Sequence, residues 1–148
     1  VIFMGGKASR DKGQRGERAV AKMLREELGL ESLSRNLSQT RNGGCDIAEL
    51  EGWSIEVKYQ ETLHIPAWWQ QTLDQCKNTK PLLIYRKSRQ PWKCIMLLSD
   101  VTDGNYKGSD CVEVGFLTAC TIIREHMAID ALNATDIKKP ARSKEVAG

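Results

Sequence analysis

One early segment of the chain, between residues 14 and 28, carries apolar residues at a helical spacing. The positions on its apolar stripe are Val20, Ala21, Leu24 and Leu28. Residues spaced in this way face one side of a helix, and Gly29 provides a natural end. Glu17 lies on the same stripe, at its N-terminal end. A buried carboxylate needs a partner, although a glutamate that emerges near the helix start also suits the helix dipole.

A spacing of two residues predicts strands after a loop that is rich in Ser, Asn, Arg and Gly. A short strand is expected near residues 32–37, and "CDIAEL" and "WSIEVKY" predict two more, joined at "EG" as a hairpin. One face of the last strand carries Trp53, Ile55, Val57 and Tyr59. The opposite face carries Ser54, Glu56, Lys58 and Gln60. The pattern predicts a half-buried strand with an acid and a lysine side by side.

The rest of the chain alternates between further helix and strand patterns. A helix with proline in its first turn is expected over residues 66–78, with Trp69 on its inner stripe and Trp68 more exposed. The inner stripe is Ile65, Trp69, Leu73 and Cys76. The segments "KPLLIYRK", "WKCIMLL" and "CVEVG" predict strands, residues 99–110 a loop, and residues 116–132 a last helix. This order predicts a three-layer α/β domain around a mixed sheet.

The length and charge of the chain fit one domain with a polyanionic partner. With 148 residues, the chain is long enough to bury a core of its own. We expect a basic N-terminal arm over residues 1–13, one domain over residues 14–133, and a basic, disordered tail over residues 134–148. The net charge is only +3, but Lys and Arg cluster near both ends and again around residues 86–93. Such clusters suit nucleic acid, although solvated tails are often basic too.

The cysteines and the hydropathy narrow the classes of protein further. The five cysteines show no CxxC spacing, and the chain has only two histidines, so we expect reduced thiols in a cytoplasmic protein and no structural zinc. No apolar run approaches the roughly 20 residues that span a bilayer. We therefore expect no membrane partner. Nothing in the sequence supports a small-molecule role either, so no small-molecule cofactor is expected.

Asp46 lies shortly before the strand whose polar face holds Glu56 and Lys58. Neighbouring carboxylates raise each other's pKa and resist burial. A bound Mg²⁺ removes that difficulty, because it prefers oxygen ligands and leaves positions for water and a substrate phosphate. A lysine on the same face can orient the attacking water or offset charge on the phosphate. The pattern favours a metal-dependent phosphodiesterase, and the alternative for Glu56 and Lys58 is an exposed cross-strand ion pair.

These residues resemble those of the PD-(D/E)XK nuclease superfamily, and more closely those of the archaeal-type Holliday-junction resolvases and their phage relatives. The resemblance runs from about residue 12 to residue 97. It is carried by "KGQRGERAVAKMLREELG", "SRN", "GGCDI", "GWSIEVKYQ" and "PLLIYRKSRQPWKCIML". Cys45 stands where the superfamily's name has proline, at a position that varies within the superfamily. The resemblance implies a restriction-endonuclease-like α/β fold, with a central mixed sheet flanked by helices.

Carried over one position at a time, the resemblance implies a catalytic set of Glu17, Asp46, Glu56 and Lys58. Asp46 matches the metal-bridging aspartate, Glu56 the second metal ligand, and Lys58 the catalytic lysine. Glu17 matches a helical acid that acts on the metal through water. The backbone carbonyl of Val57 is a further implied ligand. The implied ion is Mg²⁺, for which Mn²⁺ can substitute.

The resemblance implies a structure-specific DNA endonuclease of recombination and repair. A homodimer would introduce paired nicks into a four-way junction, because a two-fold dimer suits the approximate two-fold symmetry of that substrate. The compartment would be the cytoplasm of a bacterial or archaeal cell, or of a phage-infected host. Candidate DNA-contacting residues are Arg10, Lys12, Arg15, Arg35, Ser38, Arg41 and Gln60.

Two alternatives keep part of this interpretation. A restriction-, repair- or packaging-type nuclease would use the same site on duplex or flap DNA, since substrate choice depends on the surface rather than the fold. A non-catalytic DNA-binding module would keep the acids for structural reasons only. The intact set of Asp46, Glu56 and Lys58 favours catalysis over that last alternative.

Overall fold

The computed structural model describes residues 5–30, 34–35, 47–48, 50–102 and 105–138. The helices are α1 (Gly5–Leu28), α2 (Ile65–Gln75), α3 (Leu98–Val101) and α4 (Phe116–Lys138). The strands are β1 (Ser34–Arg35), β2 (Ile47–Ala48), β3 (Trp53–Tyr59), β4 (Lys80–Arg86), β5 (Lys93–Leu97) and β6 (Cys111–Gly115). In this part of the chain, no helix combines the length and apolar character needed to cross a membrane.

The strands of the described residues form one mixed sheet in the order β1-β2-β3-β4-β5-β6. β3 and β4 run parallel and are connected through α2, whereas the other neighbouring strands are antiparallel. The hairpin expected between β2 and β3 is confirmed, with Ile47 opposite Ile55. Its turn includes Gly52 at a φ of +88°, a conformation that glycine adopts without strain.

α1 and α4 cover one face of the sheet. Their apolar stripes pack on the side chains of β3, β4 and β5 that point the same way. The fully buried members of this layer include Val20, Leu24, Ile55, Leu82, Ile84, Met96 and Ile123. The stripe expected on the first helix is therefore confirmed, with Leu28 partly buried at its end.

α2 covers the opposite face of the sheet. Trp68 packs there with Leu83, Tyr85 and Ile95, and these side chains alternate along β4 and β5 with those of the first layer. Helices on both faces of a mixed sheet make three layers. The expected α/β, restriction-endonuclease-like fold is thus confirmed.

The prediction for the inner stripe of α2 was partly wrong, because Ile65 and Trp69 do pack against the core, but Trp68, which was expected to be more exposed, is more deeply buried. Trp68 and Thr72 are buried, whereas Trp69 is only partly covered. Trp68 and Trp69 lie three and four positions after Ile65, and both spacings place a residue on the same helix face as Ile65. Periodicity therefore could not show which tryptophan is buried, because this depends on packing against the sheet. The hydroxyl of Thr72 donates a 2.8 Å hydrogen bond to the carbonyl of Trp68, which makes its burial possible.

Several element boundaries also differ from the expected ones. α1 begins at Gly5 rather than near residue 14, and α4 continues to Lys138 rather than ending near residue 132. α2 ends at Gln75, before the expected residue 78, and most of the short helix α3 lies in the segment expected to be loop. The glycines and polar residues before residue 14 weaken the local helical signal.

The polar face of β3 is buried rather than exposed to solvent. Every residue from Trp53 to Val57 is buried, and Ser54 and Glu56 are among them, because α2 covers that face. The expected half-buried strand was therefore wrong in this respect. The hydroxyls of Ser54 and Thr79 are hydrogen-bonded to each other, which satisfies the first of the two polar residues.

Candidate active site

Glu56 and Lys58 meet on the α2 face of β3. The ammonium of Lys58 lies 3.3 Å from Oε1 of Glu56, and the two side chains are 18% and 2% exposed. Residues two positions apart on a strand share a face, so this contact follows directly from the strand geometry. The alternative of an exposed cross-strand pair was wrong, because Glu56 is enclosed and its lysine neighbour is on the same strand.

Gln71 of α2 reaches the same carboxylate. Its side-chain amide donates a 3.1 Å hydrogen bond to Oε1 of Glu56. A carboxylate at 2% exposure has little contact with water, so its charge depends on donors such as this amide and the Lys58 ammonium. Together these two groups fix the orientation of Glu56 in the cavity.

A cavity of about 190 Å³ opens at the C-terminal end of β3. Three elements contribute its walls: α1, β3 with the residue that follows it, and α2. The lining residues are Ser9, Gly13, Glu17, Glu56, Val57, Lys58, Tyr59, Gln60 and Gln71. Glu17, half-buried on α1, is therefore brought to the same cavity as Glu56 and Lys58.

The close approach of α1 to β3 depends on Gly16. A Cβ built at Gly16 would lie 2.8 Å from the Cβ of Tyr59 and 3.4 Å from the indole of Trp92. Glycine is thus required at this position for steric reasons rather than for its backbone conformation. Because Glu17 is the next residue, the same contact sets the distance of its carboxylate from the strand.

A second polar cluster borders the cavity, around Tyr59. The ammonium of Lys12 lies 4.6 Å from the centre of the Tyr59 ring, and the guanidinium of Arg86 lies at the same distance. The hydroxyl of Tyr59 accepts a hydrogen bond of 3.1 Å from Arg86. Hydrogen bonds from Ser88 and then from Arg86 lower the pKa of Tyr59. Lys12 of α1 and Arg86 at the end of β4 therefore meet at one surface.

The structure describes the side chains of only some of the residues expected to contact DNA. Gln60 lines the cavity, Lys12 lies in the cluster around Tyr59, and Arg10 and Arg15 are exposed on α1. Arg35 belongs to β1, but its side chain lies outside the described part of the chain, as do Ser38 and Arg41. Asp46 also lies outside the described residues, immediately before β2. Its role in the site stays a prediction.

The donors around the cavity are of the kind that a hard divalent cation prefers. Glu17 and Glu56 offer carboxylate oxygens, and such a cation takes one or two carboxylates and leaves positions for water and phosphate. Within the described residues, no three Asp, Glu, His or Cys side chains are grouped closely enough to hold an ion on their own. The donor chemistry fits Mg²⁺, and the sequence supplies Asp46 one residue before β2.

The sequence pattern did not single out Gln71. It lies beside a second glutamine, Gln70, which is exposed and bonds to Asp74 instead. Nothing in a single sequence separates these two amides. The signal that separates them is the helical phase of α2, because Gln71 precedes the buried Thr72 and faces the end of β3.

One of three comparisons with known proteins found a match, and it identifies the family of the chain. The model of a family described as "Phage putative PDDEXK endonuclease" matches residues 8–135, which include most of α1, the sheet and most of α4. The chain belongs to this family. Among curated proteins and solved structures, none matches the chain significantly.

Proposed function

We propose that the chain is a Mg²⁺-dependent DNA endonuclease that acts on branched DNA and resolves four-way junctions as a homodimer. The observation that carries the proposal is the meeting of Glu17, Glu56 and Lys58 around one cavity. Such a combination of carboxylates and an amine suits hydrolysis of a phosphodiester better than it suits a structural role, because burying Glu56 is costly. Membership of an endonuclease family supports the same chemistry.

Each side chain then has a definite task. Glu56 and Glu17, with Asp46, would hold the cation, and the carbonyl of Val57 would complete its protein ligands. When bound, Mg²⁺ supplies positive charge to the phosphate oxygens and lowers the pKa of a bound water. Gln71 keeps the Glu56 carboxylate in one orientation through its 3.1 Å hydrogen bond.

Lys58 would act on the attacking water and the phosphate. Its side chain is 18% exposed and lines the cavity, so the ammonium can keep its ion pair with Glu56 and still reach a molecule there. A hydrogen bond from this ammonium would orient the water for attack and offset the negative charge that develops on the phosphate. Gln60, on the same cavity wall, can donate to a phosphate oxygen through its amide.

DNA is the proposed substrate because of the basic surface beside the cavity, and the choice of branched DNA follows from the resemblance to junction resolvases. Arg10 and Arg15 are exposed on α1, and Lys12 and Arg86 meet around Tyr59. Contacts from such residues go to phosphates and follow the backbone without reading its sequence. A homodimer would set two active sites on opposed strands of a junction and produce paired nicks.

The test is a cleavage assay on an immobile four-way junction, a linear duplex and a flap of matched sequence. Each substrate is incubated with Mg²⁺, Mn²⁺ or EDTA, using the wild type and Asp46→Asn. We expect symmetric paired nicks in the junction alone, which disappear with EDTA and in the variant.

The other outcomes separate the alternatives. Equal cutting of all three substrates would keep the chemistry and remove the preference for junctions, in favour of a restriction-, repair- or packaging-type nuclease. Tight junction binding without metal-dependent cutting would overturn the catalytic proposal in favour of a DNA-binding module.

A further inference from the structure

An ion pair at the edge of the active-site cavity has the form of an occupied anion site. The ammonium of Lys12 on α1 contacts Oε1 of Glu61, which belongs to the loop between β3 and α2. The backbone N–H of Ser88 donates a 3.2 Å hydrogen bond to the same oxygen. One carboxylate oxygen thus accepts from a cation and from a backbone amide of the loop that joins β4 and β5.

The donors of this site are held in place independently of Glu61. Lys12 donates a 2.9 Å hydrogen bond to the hydroxyl of Ser88, and its ammonium lies over the ring of Tyr59. The side chain of Lys12 is 18% exposed, whereas that of Glu61 is 53% exposed. The cation is therefore part of the packed structure, and the acid is the member of the pair that can move away into solvent.

The site is continuous with the active-site cavity. A cavity of about 350 Å³ is lined by Ala8, Ser9, Lys12, Tyr59, Gln60, Glu61 and Thr62. Ser9, Tyr59 and Gln60 also line the cavity that holds Glu56 and Lys58. Three residues therefore border both cavities, one on α1 and two at the end of β3.

We propose that Lys12 and the backbone N–H of Ser88 form a subsite for a DNA backbone phosphate beside the scissile one, and that Glu61 occupies this subsite until DNA displaces it. A carboxylate and a phosphate accept the same kind of charge-assisted hydrogen bond, so one can stand in for the other. This inference rests on the proposed function, since it assigns the second cavity to the same DNA strand.

At neutral pH, Glu61 is charged and competes with the DNA phosphate for the subsite. The hydrogen bond from Lys12, followed by that from Ser88, lowers the pKa of Glu61 to about 2. DNA therefore has to displace a carboxylate and not a neutral acid at neutral pH. The ordinary alternative is an ion pair that only links α1 to the loop after β3.

The test compares DNA binding by the wild type and by Glu61→Gln. The affinity for a labelled four-way junction is measured by fluorescence anisotropy in EDTA, and thermal unfolding is recorded alongside. We expect Glu61→Gln to bind about two- to fivefold more tightly. The gain is small because the ion pair that DNA has to break contributes no more free energy than other exposed ion pairs do. Lys12→Met should bind more weakly. The slope of its log affinity against log salt concentration should also be shallower, by the equivalent of about one phosphate contact.

Two matched variants make the result specific. Glu125→Gln removes the same charge from an exposed position on α4, and it should leave the affinity unchanged. In the double variant Lys12→Met with Glu61→Gln, the gain from removing Glu61 should disappear, because there is no subsite left to free. An unchanged or weaker affinity for Glu61→Gln would overturn the subsite. So would a gain that Glu125→Gln reproduces or that persists without Lys12.

The outcomes distinguish this inference from the proposed function. Metal-dependent cutting by the wild type with no gain for Glu61→Gln would remove the subsite alone. A gain that depends on Lys12, in a protein that cuts no substrate, would keep the subsite and remove the proposed catalysis. No binding of DNA by any of the variants would overturn both.

Discussion

The side-chain amide of Gln71 donates a 3.1 Å hydrogen bond to the carboxylate of Glu56, so a residue of α2 orients a residue of β3. The two elements belong to different layers of the fold, and Trp68 and Thr72 fix α2 against the sheet next to this bond. The geometry of the candidate active site therefore depends on packing between layers as well as on the strand that carries Glu56 and Lys58.

Replacing Gln71 should weaken catalysis without unfolding the protein. Gln71→Ala removes the donor that orients Glu56, and groups that orient metal ligands typically account for about 10- to 100-fold in metal affinity or activity. We expect a higher Mg²⁺ concentration for half-maximal cleavage, with unchanged affinity for DNA in EDTA. The measurement is a Mg²⁺ titration of the cleavage rate.

The neighbouring glutamine provides the control for this prediction. Gln70→Ala alters an exposed amide that bonds to Asp74, and it should leave the Mg²⁺ dependence unchanged. Equal effects of the two substitutions would contradict a specific role for Gln71. A general destabilisation of α2 would explain them instead.

Two glycines of α1 should respond to alanine with opposite signs. At Gly16, the new Cβ would meet the Cβ of Tyr59 at 2.8 Å, so α1 must shift, and we expect a loss of about 1–3 kcal/mol in the free energy of unfolding. At Gly13, a Cβ meets no atom of the described residues within 4 Å. Gly13→Ala should therefore stabilise the helix by about 0.5–1 kcal/mol.

Urea denaturation of the two variants tests this pair of predictions. Gly16→Ala should also slow cleavage, because the shift moves Glu17 away from β3. A Gly16→Ala variant that is as stable as the wild type, or more stable, would show that the contact between α1 and Tyr59 is not tight.

The protein should lose stability in alkali because of a buried thiol. Cys94 is fully buried in the sheet, and burial raises the pKa of its thiol above the ordinary value of 9.0. The folded state then holds this proton more firmly than the unfolded state. The stabilisation is complete below about pH 9 and declines as the pH rises, by about 1.4 kcal/mol per pH unit for one group.

Denaturation between about pH 8 and about pH 11 measures this effect. Cys94→Ala should be less stable at neutral pH, because it leaves a small cavity, but its stability should fall less steeply with pH. Cys111→Ala alters an exposed thiol and should keep the steeper slope of the wild type. Burial also raises the pKa of Tyr85, so part of the decline should remain in Cys94→Ala. Identical slopes for the wild type and Cys94→Ala would refute the prediction.

Much of the fold was predictable because it depends on patterns that act along one element. The apolar stripe of α1 and the alternation along β3 placed Val20, Leu24 and Ile55 in the core, and the same alternation put Glu56 beside Lys58. These patterns come from helix and strand geometry, which a single sequence displays directly.

The features that the sequence missed depend on contacts between elements. The burial of Glu56 follows from α2 lying over β3, and the choice of Trp68 over Trp69 follows from how α2 packs on the sheet. The early start of α1 has a similar origin, since Lys12 contacts Tyr59 and Glu61 far along the chain. Such contacts cannot be predicted from periodicity or from helix propensity.

If Glu56 serves the hydrolysis of DNA, the single-turnover cleavage rate of Glu56→Gln should show it. Gln keeps the shape of the side chain and the protein fold while removing the charge that would hold the cation. With Mg²⁺ and a four-way junction, we expect a rate at least about 100-fold below that of the wild type, with DNA affinity in EDTA and thermal stability retained. Glu125→Gln, the matched change on the surface of α4, should cut at the wild-type rate. Cleavage by Glu56→Gln at the wild-type rate would show that the reaction does not depend on this carboxylate, and the proposed role of Glu56 would be wrong.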